Sequence, residues 1–253
     1  MHKKEALKKT LDEAFLRHAS EVFIIDDPIK IPHRYTRKED IEIAGFLTAT
    51  IAWGNRKSII NNASKIMEIM NNQPFDYIMS EDHTIKINSF CHRTFNSSDL
   101  QFFFIALRNI YENHGGLEKV FTTGYNITNS VMDAISYFRM VFLSMEHEQR
   151  SEKHISNPAS GSAAKRINMF LRWMIRPETE GIDFGIWKGI PTSALICPLD
   201  VHSGNVARNL GLLKRNANDR KSAELLTEAL CKFDANDPVK YDLALFGMGV
   251  YGY

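Results

Sequence analysis

Apolar residues return at every third or fourth position through most of the chain, and that period restricts what it can fold into. Leu7, Leu11, Ala14 and Phe15 make one such face, and Ile43, Phe46, Leu47, Thr50 and Ile51 make another. The spacing continues through 57–71, 99–114, 129–145, 163–176, 201–212, 221–233 and 238–250. A repeat of about 3.6 residues lines one side of a helix, whereas a half-buried strand needs strict alternation, and no paired alternating segments are seen. Start and stop signals agree. Asp99 is placed to open one helix and Gly115-Gly116 to close it, and Asp237-Pro238 joins an N-cap to a proline at the first helical position. The expected fold class is all-α, a two-lobed helical bundle.

With 253 residues, 44% of them apolar, the chain can bury one large core or two helical lobes. The segment from Glu146 to Ser160 is polar, contains Pro158 and precedes a Gly-Ser-Ala-Ala turn. It is expected to be a loop (146–160) joining lobes of 1–145 and 161–253 within a single 1–253 unit. Cys91, Cys197 and Cys231 lie far apart, which gives neither a disulfide framework nor a metal knuckle and suits a reducing cytoplasm. No apolar run approaches the roughly 20 residues of a bilayer span, and Met1-His2-Lys3-Lys4-Glu5 leads into an amphipathic stretch rather than a signal peptide. A net charge of +1 argues against wholesale coating of nucleic acid, so local clusters of charge matter more than the sum.

Two segments carry chemistry. In Asn157-Pro158-Ala159-Ser160-Gly161-Ser162-Ala163-Ala164-Lys165-Arg166, small residues make a tight turn that opens a helix. Unpaired backbone N–H groups at such a start suit a phosphate oxygen, and small side chains let a nucleic-acid backbone approach. Some 35 residues later, Ile196-Cys197-Pro198-Leu199-Asp200-Val201-His202 precedes an amphipathic helix carrying Arg208. By itself, each has a plain structural explanation: a turn, and an aspartate N-cap.

Together the two segments resemble the helix-hairpin-helix DNA glycosylases. That superfamily carries a Gly-x-Gly-x-Lys hairpin and a Pro-Val-Asp-x-His segment. Gly161 and Lys165 match the hairpin's first glycine and its lysine, and Pro198-Leu199-Asp200-Val201-His202 matches the second segment. The long separation is similar to the archaeal 8-oxoguanine glycosylase branch. The stretch from Phe46 to Arg56, with Asn55 and Arg56 at its end, resembles the superfamily helix that approaches the damaged base and its partner strand. Lys165 through Trp187 and Asp237-Pro238-Val239-Lys240-Tyr241-Asp242 also resemble an uncharacterised bacterial family, a domain of unknown function. Two departures stand out: Ala163 replaces the hairpin's second glycine, and no four-cysteine cluster is present, which sets aside the iron–sulfur members.

The resemblance implies a base-excision glycosylase with abasic-site lyase activity. Asp200 would stabilise a developing oxocarbenium sugar, and Lys165 would attack as an uncharged amine, a form favoured by desolvation and neighbouring cations. Gly161, Ser162, Ala163, Ala164, Arg166, His202, Arg208, Asn55 and Arg56 would contact DNA, and Arg172, Arg176, Lys214 and Arg215 would extend a cationic flank. The implied partner is double-stranded DNA with a flipped damaged base, bound by a monomer, with no membrane, cofactor or metal. His202 beside Asp200 supplies only two candidate ligands for a metal. Trp53, Trp173 and Trp187 fit either a base-stacking role or the core, and Asp183 within Asp183-Phe184-Gly185-Ile186-Trp187 fits a helix cap equally well. Two other classes stay open at this point: a non-catalytic binder of distorted DNA, and a helical scaffold for protein partners.

Overall fold

The computed structural model describes residues 2–19, 21–80, 87 and 89–252. The fold is all-α. Its helices are α1 (His2–His18), α2 (Glu21–Ile25), α3 (Lys38–Thr50), α4 (Arg56–Ile69), α5 (Pro74–Met79), α6 (Ser97–Asn113), α7 (Leu117–Thr128), α8 (Val131–Phe142), α9 (Lys165–Ile175), α10 (Val201–Asn209), α11 (Arg220–Cys231) and α12 (Tyr241–Tyr251). Strand among the described residues is confined to an antiparallel hairpin, β1 (Cys91–His92) with β2 (Phe95–Asn96). The interval between α8 and α9 holds two 3-10 segments, Gln149–His154 and Pro158–Ser160. No described helix is long and apolar enough to cross a membrane.

The chain divides into two compact units, Ile24–Asn157 and a second formed by Met1–Phe23 with Pro158–Tyr253. Where the sequence places lobes at 1–145 and 161–253, the N-terminal helix instead packs with the C-terminal segment. The cause is visible in α1. Leu11, Ala14 and Phe15 are buried, the Tyr241 hydroxyl donates to Asp12 Oδ1 at 2.8 Å, and the Arg176 guanidinium lies 5.3 Å from the centre of the Phe15 ring.

The unit Ile24–Asn157 is built on phenylalanine. Phe46 of α3 meets Phe103 of α6 and Phe138 and Phe142 of α8 with ring centroids 5.4–5.9 Å apart, all four essentially without solvent contact. Each such ring contributes on the order of 2–3 kcal/mol by leaving water. α7 and α8 pack closely because Gly124 has no side chain: an added Cβ would lie 2.7 Å from Tyr137 Cβ and 2.9 Å from Ala134 Cα. The start of α6 is a capping box, in which Asn96 Oδ1 accepts from the Asp99 N–H and Asp99 Oδ2 from the Asn96 N–H. The helix therefore opens at Asn96, with Asp99 inside its first turn.

In the other unit, α12 packs against both α1 and α10, and its residues 241, 243, 244 and 245 are buried. Trp173 and Trp187 belong to this core, at 0% and 2% exposure, and Phe170 meets Trp187 edge to face at 5.4 Å. Of the two explanations for these tryptophans, the structure shows the core.

Candidate active site

Lys165 is the first residue of α9, and the chain reaches it through a constrained turn. Gly161 sits at φ +88° with nothing within 4 Å of where a Cβ would stand. Its N–H donates to the Pro158 carbonyl and its carbonyl accepts from the Arg220 N–H, while Ser162 bridges Asp219 at the start of α11. Ser162 Oγ then accepts from the Ala164 N–H at 3.1 Å. Ala164, not Ala163, carries the strain: it is left-handed, with φ 49° and ψ 37°, at a cost of about 1–2 kcal/mol for a residue with a Cβ. Nearby hydrogen bonds hold this geometry. The Asn168 side chain donates to the Ala163 carbonyl at 3.0 Å, and the Asn168 N–H donates to the Ala164 carbonyl.

Asp200 arrives from a separate direction. Cys197, Pro198 and Leu199 are buried, and the Cys197 N–H donates to Thr227 Oγ1 at 3.0 Å, which pins the segment to α11. Asp200 then caps α10: its Oδ1 accepts from the Ser203 N–H at 2.9 Å, and Ser203 Oγ accepts from the Asp200 N–H at 3.0 Å. This engages Oδ1 and leaves Oδ2 to face Lys165 Nζ at 3.5 Å. The cap and the contact with Lys165 therefore use different oxygens. The contact is longer than the roughly 2.7–2.9 Å of a tight charged hydrogen bond, and both side chains keep solvent access, 31% for Lys165 and 21% for Asp200.

Among the other sequence candidates in this unit, His202 is exposed on α10 with its Cβ against Gly249 of α12. Beside it Val201 is 62% exposed, an apolar surface directly following Asp200. Burial pushes the Arg166 guanidinium down to about 10, so it keeps its charge at neutral pH. Arg208 is committed to the chain itself. It donates to the carbonyls of Arg215, Asn216 and Ala217 and to Asn218 Oδ1, closing the loop after α10. Arg215 pairs with Asp219, and Lys214 makes no ion pair among the described residues.

Arg172 and Arg176 are not part of a cationic surface. They are 4% and 2% exposed and form a buried ion network. Arg172 reaches Asp183 Oδ1 at 3.2 Å and also pairs with Asp242; Arg176 reaches Glu180, Asp183 and Asp237 at 3.0, 3.1 and 2.9 Å. Burial opposes the Arg176 charge, but Asp237, Asp183 and Glu180 outweigh it and hold this group above the ordinary arginine range. Asp183 is thus an ion-pair partner rather than a helix cap. The network links the two stretches 165–187 and 237–242. Nothing local in the sequence marks Asp242 as their partner; the available signal is the pair of arginines four residues apart on one amphipathic helix.

Asn55 and Arg56 belong to the unit Ile24–Asn157 and are described within it. Asn55 caps α4, its Oδ1 accepting from the Ser58 N–H at 3.1 Å, and Arg56 is the first helical residue. Gly54, at φ +100°, admits the Arg93 side chain: a Cβ there would stand 2.6 Å from Arg93 Nη1. The start of α4 thus gathers Arg56, Lys57 and Arg93. Trp53, just before it, packs on His92 and His154 at 5.0 and 6.0 Å between ring centroids.

No group of three or more His, Cys, Asp or Glu side chains arranged to hold a metal occurs among the described residues. No curated protein and no solved structure matches the chain. A family model described as "Protein of unknown function (DUF2400)" matches residues 27–251, and the chain belongs to that family.

Proposed function

We propose that the protein is a DNA N-glycosylase with abasic-site lyase activity, acting on double-stranded DNA with a flipped damaged base. The observation that carries this reading is the Lys165–Asp200 pair: an amine and a carboxylate 3.5 Å apart, delivered by separate segments, both open to solvent. Support also comes from the strained, open turn ahead of α9, where the first-turn N–H groups and the helix dipole suit a phosphate. Backbone strain at a non-glycine residue is a recurrent companion of functional sites.

In the reaction, Asp200 Oδ2 faces the positive charge that develops on the sugar as the N-glycosidic bond stretches. The Lys165 nitrogen lone pair forms a bond to C1′, and the electron pair of the N-glycosidic bond leaves with the base, which takes up the proton released by the amine. Opening of the C1′–O4′ bond, with protonation of O4′, gives the Schiff base. Loss of a C2′ proton then expels the 3′ phosphate and nicks the strand, and water hydrolyses the Schiff base to free the lysine. Flipping the base costs roughly a few kcal/mol and is cheapest for damaged or mispaired nucleotides. The similarity to the archaeal 8-oxoguanine branch suggests an oxidised purine as the substrate class.

Strand nicking on duplex oligonucleotides carrying an abasic site tests the proposal. The parent should nick and Lys165→Gln should not, while Asp200→Asn should fail on the same duplex carrying 8-oxoguanine, where the N-glycosidic bond must first break; full nicking by Lys165→Gln would sink it. A second reading, a non-catalytic binder of distorted DNA, is favoured by one observation: the capping box alone suffices to explain Asp200. That reading predicts salt-sensitive binding to the same duplex with no nicking by the parent.

A further inference from the structure

The unit formed by Met1–Phe23 with Pro158–Tyr253 carries a groove of about 730 Å³, open along one side, that holds neither Lys165 nor Asp200. Helix α11 builds one wall. Its Leu226 and Leu230 are buried in the core, whereas Leu225, Glu228, Ala229 and Lys232, spaced at i, i+3, i+4 and i+7, line the groove. The helix is therefore apolar along a second stripe that the core does not use. Lys4 and Leu7, one turn apart on α1, form another wall, and the chain leaving α10 adds Leu210, Leu212 and Leu213. Phe233 also lines the groove, with Lys4 Nζ 6.0 Å from the centre of its ring.

Cations edge this apolar lining. Lys4, Lys214, Arg215 and Lys232 stand against a single acidic side chain, Glu228. Arg215 is paired with Asp219, but the exposed Lys4, Lys214 and Lys232 make no ion pair among the described residues. Leucines left partly in water beside lysines without counter-charges match an occupant that is apolar on one side and negative along its edges. We propose that the groove docks an acidic amphipathic helix of a protein partner. Apolar residues of that helix at i, i+3, i+4 and i+7 sit on the leucines, and its glutamates or aspartates lie along the lysine rim.

Two other occupants fit the lining less well. A nucleic-acid backbone would lay hydrated phosphates over leucine side chains, which desolvates charge without a partner beneath it. That is why Lys214 and Arg215, expected from sequence to flank DNA, are assigned here to a protein contact. A small apolar molecule would be left uncovered along the open side, whereas such ligands are ordinarily enclosed over most of their surface. A helix needs only one face covered. Its binding would draw on the lysines for steering and salt sensitivity and on the leucines for residence.

The test is fluorescence anisotropy on the full chain with a labelled peptide of about 18 residues, long enough to form a helix, carrying leucines along one face and glutamates beside them. A peptide of the same composition in scrambled order and one with lysine in place of glutamate are the comparisons. The proposal expects the first to bind and the other two to bind at least about tenfold more weakly. Two variants locate the contact: Ala229→Glu, which puts a charge on the lining, and Lys214→Glu with Lys232→Glu, which reverses the rim. Ala229 is partly exposed, both lysines are exposed and glutamate is a good helix former, so a circular-dichroism melt should match the parent. Each variant should weaken binding of the acidic peptide by about tenfold. No binding by the parent, equal binding of the scrambled peptide, or unchanged affinity in both variants overturns the proposal. Duplex DNA and vesicles of anionic phospholipid are the remaining probes. If the rim reversal weakens binding to either of these and leaves the peptide unaffected, the groove belongs to nucleic acid or membrane and the proposal falls.

Discussion

Two carboxylates in this molecule sit in the same local device and end in different environments. Asp99 and Asp200 each belong to a capping box at the start of a helix, α6 and α10. Asp99 is fully buried: Oδ2 accepts from the Asn96 N–H and lies 3.4 Å from His154 Nε2, while Oδ1 accepts from Ser151 Oγ at 2.6 Å and Arg150 at 2.9 Å. Both oxygens have protein partners, and the fully buried group leaves no room for a substrate. Asp200 spends one oxygen on its cap and turns the other toward a lysine across an open 3.5 Å gap. A capping motif therefore says nothing about function by itself. What separates the two is whether the second oxygen is enclosed.

That contrast can be broken by experiment, and the largest effect expected is chemical. Lys165→Gln should lower nicking of an abasic duplex, and Asp200→Asn nicking of an 8-oxoguanine duplex, by at least about 100-fold each, while chemical denaturation shows Asp200→Asn within about 1 kcal/mol of the parent, since asparagine caps a helix as well as aspartate. Asp99→Ala should do the opposite to stability. It removes the acceptor of the Asn96 N–H in the capping box and the buried acceptor of Ser151 Oγ, and should cost about 2–4 kcal/mol, read as a lower denaturation midpoint.

Asp242 offers a pH-resolved version. Its folded carboxyl is raised from 3.8 to about 6, so its contribution to stability is fully present below about 4 and is lost as pH rises through about 6. Between those limits the parent should lose up to about 3 kcal/mol relative to Asp242→Asn, measurable as a pH-dependent difference in unfolding free energy. Gly185→Ala tests the scaffold of the ion network. Gly185 sits at φ +57° with a would-be Cβ 2.9 Å from Pro177 Cα, so alanine should cost roughly 1–3 kcal/mol in a thermal melt. The smallest effect concerns Arg208, whose donors already close its own loop. Arg208→Ala should leave the salt dependence of DNA binding unchanged, whereas loss of a phosphate contact would reduce the slope by about one.

The fold was legible where burial follows local period. The stretches at 57–71, 99–114, 201–212 and 221–233 correspond to α4, α6, α10 and α11. α7 escaped because Gly124 reads as a breaker within a segment rich in threonine and asparagine; the glycine is there so that α8 can approach. The pairing of α1 with α12 depends on Asp12 meeting Tyr241, a contact 229 residues apart in sequence that no local period encodes. In the candidate site, Lys165 and Asp200 were readable as residues, and their proximity is a property of the fold. Arg172 and Arg176 look like surface cations in a string of letters. Only the placement of Asp183, Asp237 and Asp242 around them turns these arginines into buried partners.

The measurement that bears most directly on the central claim is borohydride trapping of the protein on an abasic-site duplex, followed by peptide mapping of the adduct. The account predicts a covalent protein–DNA species whose modified peptide contains Lys165 and which is absent from Lys165→Gln. An adduct mapped to any other lysine, or none at all from a protein that binds the same duplex, would contradict it.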